Sequence, residues 1–162
     1  MDGITHNILK WDLIIAHPPC TYLTNAQICY YNVEKYGQEY VDNRIKKREE
    51  AYNFFMEFVK FAEETNTKMA IENPPGYMNT HYRKPNCIIY PYQHGESFNK
   101  PICLWLFGLP KIKPTKIVPK GKTVRLPNGK TNSVGWGKMA NKSTERSKTF
   151  VGIAEALAEQ WG

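Results

Sequence analysis

The sequence predicts an α/β domain with a short, mostly parallel sheet and flanking helices, and three observations lead to this prediction. Residues 11–17 and 68–72 are short apolar runs, and prolines follow each of them closely. Between them, residues 41–64 carry apolar side chains at three- and four-residue spacing, which is typical of an amphipathic helix. A strand, a helix and a strand in this order form a crossover unit with two parallel strands.

The first half of the chain supplies that unit. Residues 11–17 (WDLIIAH) are expected to form a buried strand that ends at Pro18-Pro19, and residues 20–40 a tyrosine-rich loop with a short helix. Asp42 or Asn43 could cap the helix that follows. Its apolar stripe comprises Ala51, Phe54, Phe55, Phe58, Phe61 and Ala62. Residues 68–72 (KMAIE) form the second predicted strand, which Asn73-Pro74-Pro75-Gly76 ends.

The second half adds shorter elements. Residues 87–90 (CIIY) and 102–107 (ICLWLF) have the composition of strands, and residues 110–140 show no helical period and are expected to be extended loop. A final helix is predicted over residues 149–161. Its apolar stripe comprises Phe150, Ile153, Ala154, Leu157, Ala158 and Trp161. A length of 162 residues suits one domain over residues 1–162, with a basic, loop-rich segment at about 110–148.

Positive charge is concentrated in that segment. The chain has a net charge of +7, and eleven of its 22 lysines and arginines lie between Lys111 and Lys148, where Glu145 is the only acid. Such a density favours a polyanion, most simply nucleic acid, and the alternative is a solvated loop that only aids solubility. The candidate nucleic-acid contacts are Lys100, Lys120, Lys122, Arg125, Arg146 and Lys148.

Several classes of protein are disfavoured by the sequence. No apolar run is long enough for a transmembrane helix, and the N-terminal residues lack the pattern of a secretory signal, so a cytoplasmic protein without membrane contact is expected. The four cysteines form no C-x-x-C pair, which argues against a disulfide framework. The histidines do not cluster with them as zinc ligands would, and no metal site is expected.

Two residues at the predicted strand ends have the chemistry of a catalytic site. Cys20 follows the first strand and its proline pair, and Glu72 lies at the end of the second strand. Parallel strands end at the same edge of a sheet, where α/β proteins bind ligands, so a thiol and a carboxyl should face one cleft. Taken alone, Cys20 is more simply a buried small hydrophobe and Glu72 a surface carboxylate.

These residues carry a resemblance to a family. His17-Pro18-Pro19-Cys20-Thr21 is similar to the Pro-Cys motif of cytosine-C5 DNA methyltransferases, and Ile71-Glu72-Asn73-Pro74 resembles their Glu-Asn-Val motif. Residues 145–158 resemble the last motif of the family and its following helix, and the three occur in family order. The likeness is greatest to short phage and prophage members, and it implies a truncated Rossmann-like methyltransferase sheet.

The resemblance implies a specific chemistry. The Cys20 thiolate would add to C6 of cytosine, Glu72 would hydrogen-bond N3, and the activated C5 would take a methyl group from S-adenosylmethionine. The base would come from a single strand or be flipped out of a duplex. The tyrosines after Cys20 could stack on that base, or could equally be packing residues. Lys100 could replace the family arginine that contacts cytosine O2, which has no match near residues 90–93.

The cofactor half of the family pattern is not found in the sequence. There is no Phe-x-Gly-x-Gly loop, and roughly fifty family residues are expected to be missing upstream of Met1. The resemblance leaves Asp2, Pro18, Pro19 and Asn73 as cofactor contacts, so this chain alone is expected to bind S-adenosylmethionine weakly or not at all. A glycine-rich helix N-terminus is what favours such a ligand.

Two functions of different classes follow. The chain could be the catalytic half of a methyltransferase that acts on cytosine in DNA when a second chain or a homo-oligomer completes it. It could instead be a non-catalytic relic that binds a nucleotide, DNA or a host defence component, as a phage counter-defence protein would. The absent loop favours the relic, whereas the intact Cys20 and Glu72 motifs favour the enzyme.

Overall fold

The computed structural model describes residues 11–125, 131–133 and 149–162 of the chain. The described chain divides into two compact units. The first contains residues up to Asn86 together with Cys103–Pro110, and the second contains Cys87–Ile102 and the described residues from Lys111 onward. One domain over residues 1–162 stays a prediction, because close backbone packing does not test whether a unit folds independently.

The predicted order of strand, helix and strand is confirmed. The first strand, however, covers residues 13–16 rather than 11–17 and is not buried as expected, because only Ala16 is buried and Ile15 is 37% exposed. Strands β1 (Leu13–Ala16) and β2 (Lys68–Asn73) pair in parallel, with Ala16 opposite Ile71. Helix α2 (Gln38–Thr65) connects them, and its 28 residues form the crossover that a parallel pair requires. The end of β1 and the end of β2 therefore lie at the same edge of the sheet.

The third strand of the first unit gives the sheet a mixed character. Strand β4 (Ile102–Phe107) runs antiparallel to β2, with Ile71 opposite Trp105. The order within the unit is β1-β2-β4, with one parallel and one antiparallel pair rather than the mostly parallel sheet that was expected. The α/β class is confirmed. Residues 74–101, between β2 and β4, contain a three-residue strand and short helical turns such as α3 (Met78–His81), and none of these turns is long enough for a parallel crossover.

Helix α2 packs on this sheet through part of the predicted stripe, which wrongly included Phe54 and lacked Val59. Phe55, Val59 and Ala62 are buried, whereas Phe54 points outward with 42% of its surface exposed. The Phe55 ring packs edge to face on the buried Trp105 ring, with the ring centroids 5.2 Å apart. The Trp105 indole N–H donates to the Arg83 carbonyl.

The helix begins earlier than the sequence suggested. It starts at Gln38 after Gly37, whose φ of +83° favours glycine, so neither Asp42 nor Asn43 is its cap. The Asp42 carboxylate instead accepts a hydrogen bond from Gln38.

The tyrosine-rich segment before α2 is more regular than a loop. It forms a 3₁₀ helix over Asn25–Tyr31 and the one-turn helix α1 over Val33–Tyr36. Thr24 caps the first of these through its hydroxyl, which accepts from the Ala26 amide, and Asn32 caps the second by accepting from the Lys35 amide. Side-chain caps of this kind explain why helical turns form without an apolar period.

The second unit contains strand β3 (Cys87–Ile89), a 3₁₀ turn at Pro91–Gln93 and a final helix, α4 (Val151–Trp161). The helix is confirmed, although Ala156 is buried where Ala154 and Ala158 were expected to be. Strands β5 (Thr123–Arg125) and β6 (Thr131–Ser133) pair antiparallel, so the prediction of extended loop over 110–140 is wrong there. Three-residue strands leave too little alternation in the sequence to be recognised.

Candidate active site at the strand ends

The two strand ends of the first unit are joined by direct contacts. His17 follows β1, and its Nδ1 lies 3.3 Å from Oε2 of Glu72. The Glu72 side chain is 21% exposed and that of His17 is 45% exposed, so the pair can be reached by solvent. The parallel register produces this contact, because His17 follows the residue opposite Ile71.

A buried amide strengthens the same junction. Asn73 is 1% exposed, and its Nδ2 donates to the Pro18 carbonyl at 3.1 Å. Its Oδ1 is shielded from solvent and has no hydrogen-bond partner among the described residues. Breaking the bond from Nδ2 to the Pro18 carbonyl would leave a second buried polar atom without a partner, which is unfavourable. Asn73 therefore fixes the position of the Pro18-Pro19 loop against the end of β2.

Cys20 lies in a tight turn that follows the Pro18-Pro19 loop directly. Its carbonyl accepts from the amides of Leu23 and Thr24, both at 3.0 Å. Leu23 is 1% exposed and anchors the turn in the core, while Cys20 is half-buried. The thiol therefore belongs to a fixed backbone rather than to a free loop.

The loop after Glu72 lies against the turn that contains Cys20. The Tyr77 amide donates to the Leu23 carbonyl at 2.7 Å, and the Asn25 amide donates to the Pro75 carbonyl at 3.1 Å. The approach is so close that a Cβ at Gly76 would lie 1.9 Å from the Leu23 oxygen. Only glycine fits there, which accounts for the Pro-Pro-Gly sequence after Asn73.

Among the other described cysteines, none matches this setting. Cys103 is buried in the sheet, and Cys29 is exposed. Burial raises the pKa of Cys87, an effect that a backbone hydrogen bond at Ile112 and the charge of Lys111 oppose. A raised pKa reduces the thiolate fraction and with it the nucleophilicity of Cys87.

The predicted site residues thus divide into three groups. Cys20, Pro18, Pro19, Glu72 and Asn73 are brought to one edge of the sheet. Lys100, Lys120, Lys122 and Arg125 belong to the second unit. Asp2, Arg146 and Lys148 lie outside the described residues. The single cleft shared by Cys20 and Glu72 stays a prediction.

The lysines of the second unit have different surroundings. Lys100 is half-buried, with its Nζ 5.7 Å from the centroid of the Phe150 ring. Lys120 is exposed, and its Nζ lies 5.0 Å from the centroid of the Tyr92 ring. Lys122 and Arg125 are also exposed. These cations are accessible to an anion, and Lys100 is partly used in packing.

One group of functional candidates was not identified from the sequence. Four of the tyrosines for which base stacking and ordinary packing were equally open surround the guanidinium of Arg44, with ring centroids between 5.0 and 5.9 Å from its Cζ. They are Tyr22, Tyr30, Tyr31 and Tyr40. The signal was the Arg-Ile-Lys-Lys-Arg run at residues 44–48, which on a helix reads as an ordinary solvated face.

Two further properties concern the described part of the chain. It holds no group of three or more His, Cys, Asp or Glu side chains that could bind a metal ion. None of its helices is long and apolar enough to cross a membrane.

Comparison with known proteins returned no relative: no family model, no curated protein and no solved structure matches this chain. The chemistry of the site is therefore the basis for a function.

Proposed function

We propose that this chain carries the nucleophile and the acid of a cytosine-C5 DNA methyltransferase site, with Cys20 and Glu72 in those roles. The observation that supports this most is the junction of the two strand ends, where hydrogen bonds of Asn73 and Tyr77 hold the Cys20 turn beside the end of β2. The parallel pair at this edge also suits the truncated Rossmann-like sheet that the resemblance implies.

The proposed reaction begins without a cofactor. The Cys20 thiolate adds to C6 of cytosine, and the electron pair of the C5–C6 double bond moves toward N3, which takes a proton from Glu72. The resulting enamine has a nucleophilic C5. If C5 is protonated by solvent and then loses a hydrogen, elimination of the thiolate returns cytosine with an exchanged C5 hydrogen. Covalent addition thus divides one difficult substitution into easier steps.

His17 has a place in the same scheme. Its Nδ1 contacts Glu72 Oε2, so it can orient that carboxyl and pass a proton between it and solvent. A glutamate that must give up a proton at each addition and recover it at each elimination needs such a route. His17 would act as a positioning residue, since it works through Glu72.

The methyl donor implied by the resemblance is S-adenosylmethionine. Of the three described residues assigned to it, Pro19 is exposed, but the other two fit direct contact poorly: Pro18 is buried, and Asn73 is 1% exposed with its side chain bonded to the Pro18 carbonyl. Both hold the nucleophile turn instead. The donor would then be held by other groups, on a second chain or a second copy of this one.

The same observation favours a second candidate. If Pro18 and Asn73 only hold the backbone of the Cys20 turn and do not contact a methyl donor, the site could bind cytosine in DNA, or a free nucleotide, without methylating it. Such a protein would compete for DNA or for a nucleotide, as expected of a non-catalytic relic or a counter-defence protein.

Exchange of the cytosine C5 hydrogen separates the two. The chain is incubated in deuterated buffer with a single-stranded oligodeoxynucleotide that contains one cytosine, and the nucleosides are examined by mass spectrometry. The wild type should introduce deuterium at C5 without any methyl donor, and Cys20→Ser and Glu72→Gln should fall to background.

Cys29→Ser is the matched control, because it removes an exposed thiol outside the site and should leave exchange unchanged. Binding of the oligonucleotide without exchange by the wild type would favour the non-catalytic protein. Undiminished exchange by Cys20→Ser would contradict the assigned nucleophile.

A further inference from the structure

The guanidinium of Arg44 is held in a cage of tyrosine rings. Its Cζ lies 5.0 Å from the ring centroid of Tyr22, 5.0 Å from that of Tyr30 and 5.3 Å from that of Tyr31, so three aromatic rings surround one charge. Its Nη2 donates to Gln27 Oε1 at 3.1 Å. Aromatic faces attract a cation and fix its plane, so this guanidinium has little freedom to lose when it meets a ligand.

Arg48 repeats the arrangement one helical turn later. Its Cζ lies 4.6 Å from the Tyr31 ring centroid and 4.5 Å from that of Tyr77. Arg48 is half-buried, its Nε is shielded from solvent, and no hydrogen bond links its guanidinium to any described residue. A planar group with several unused donors is suited to a bidentate acceptor such as a phosphate.

Lys47 completes a cationic face of α2 with these two arginines. Its Nζ lies 5.8 Å from the Tyr22 ring centroid, and residues 44, 47 and 48 share a helix face because of their three- and four-residue spacing. Within the described residues, the ion pairs involve His17 with Glu72 and Lys60 with Glu64, and none involves this face. In that part of the chain its cations therefore lie against tyrosine rings, and no carboxylate neutralises them.

The tyrosines connect this face to the strand ends. Tyr22 lies two residues after Cys20, and Tyr77 lies in the loop that follows Glu72. Arg44 contacts the first ring and Arg48 the second. An anion bound by the two guanidiniums would consequently lie next to the loops that carry the proposed nucleophile and acid.

We propose that Arg44, Lys47 and Arg48 on α2 form a binding site for the phosphates of the DNA strand that supplies the cytosine. The identity of the ligand rests on the proposed function. The site itself rests on the paired guanidiniums, their aromatic supports and the absence of a carboxylate partner among the described residues. Tyrosine and arginine together are the groups with which proteins hold single strands.

The test uses fluorescence anisotropy of a single-stranded oligodeoxynucleotide of about 12 nucleotides, within the usual span of such sites. The protein carries Cys20→Ser, so that no covalent step contributes. Replacing both arginines, in Arg44→Lys/Arg48→Lys, keeps the charge but removes the planar fork, and affinity should fall roughly tenfold or more. A thermal melt establishes whether this variant is folded.

Lys47→Ala keeps the test decisive if the double variant does not fold, because Lys47 is exposed. It should weaken binding and reduce the slope of log affinity against log salt by roughly 0.7, the value for one phosphate contact on a single strand. Lys60→Ala is the matched control: it removes one charge from the same helix at a side chain paired with Glu64, and should leave affinity and slope unchanged.

The outcomes distinguish this inference from the proposed function. If Lys47→Ala and every folded arginine variant bind like the Cys20→Ser parent, the site is wrong whether or not exchange at C5 occurs. If DNA binding depends on these residues but no C5 exchange is found, the phosphate site stands and the catalytic proposal fails. Equal losses in Lys60→Ala and Lys47→Ala would also overturn the site, since they would reflect net charge alone.

Discussion

Two cationic regions of this chain hold their charges in different ways. On α2, Arg44 and Arg48 are half-buried and each lies against tyrosine rings. In the described residues from Lys111 to Arg125 the cations are exposed, and lysine predominates. Fixed guanidiniums select the geometry of an acceptor, whereas exposed ammonium groups respond mainly to charge density. Charge density over residues 111–148 led to the second region from sequence alone, whereas the basic run at residues 44–48 of the first region was taken for an ordinary solvated helix face.

The largest effect on stability should come from removing the buried side chain that packs α2, which carries the first region, on the sheet. Phe55→Ala deletes a fully buried ring that contacts Trp105, and should lower the free energy of unfolding by about 3–5 kcal/mol. Chemical denaturation monitored by tryptophan fluorescence measures it. Phe54→Ala, one residue away and 42% exposed, is the control and should cost less than about 1 kcal/mol. Equal losses would mean that α2 is not packed as described.

Gly76→Ala should have the next largest effect. The added methyl group would meet the Leu23 carbonyl, so the loop must shift and stability should fall by about 1–3 kcal/mol. Tyr77, which contacts Arg48, would move with it, so single-strand affinity should fall as well. The lysines of the second unit should keep their salt-dependent binding. Unchanged stability together with unchanged affinity would contradict the close approach of the two loops.

A triple replacement tests the second region. We expect a smaller slope of log affinity for duplex DNA against log salt in the variant that combines Lys120→Ala, Lys122→Ala and Arg125→Ala. The slope should fall by roughly two to three units if each side chain makes one phosphate contact. Their exposure predicts a stability change within about 0.5 kcal/mol. Anisotropy across a salt series measures the slope. No duplex binding by the wild type at low salt would leave this region as a solubility feature or a site for a smaller anion.

The smallest effect concerns pH. Burial lowers the pKa of His94, whose Nδ1 is 3.1 Å from the Thr115 hydroxyl. The unfolded chain therefore binds a proton at higher pH than the folded one, so this contribution to stability is present above about pH 6.5 and declines as the pH falls below it. Denaturation at several pH values should show a shallower decline in His94→Gln. The same decline in both proteins would exclude His94 as its source.

Local periodicity explains what could be predicted from the sequence. The final helix and α2 were predicted because apolar residues recur at helical spacing, and the parallel pair was predicted from two short apolar runs on either side of α2. Strand β4 was predicted at residues 102–107, but its antiparallel direction was not, since strand direction depends on the path of residues 74–101, where the short elements leave no period. The β5–β6 hairpin was missed for a similar reason, its strands having three residues each.

The candidate site was predictable only in part. Cys20 and Glu72 were proposed as site residues because each lies at the end of an apolar run with prolines nearby, and the strand ends are joined as that order implies. The role of Asn73 was not, because nothing in the sequence shows that its amide bonds to the Pro18 carbonyl. The contacts of Arg44 were missed because cation–ring contacts across loops have no spacing rule.

We propose that Cys20 is a nucleophile toward a pyrimidine held beside Glu72. Trapping the covalent adduct between Cys20 and a pyrimidine analogue tests this most directly. In an oligodeoxynucleotide with 5-azacytosine at the target position, a thiolate adds to C6 while N5 takes a proton, and mass spectrometry of the digested protein locates the modified residue. The site described here predicts an adduct on the peptide that contains Cys20, retained in Cys29→Ser and absent in Cys20→Ser. An adduct on Cys29 or Cys87, or bound DNA with no adduct at all, would contradict it.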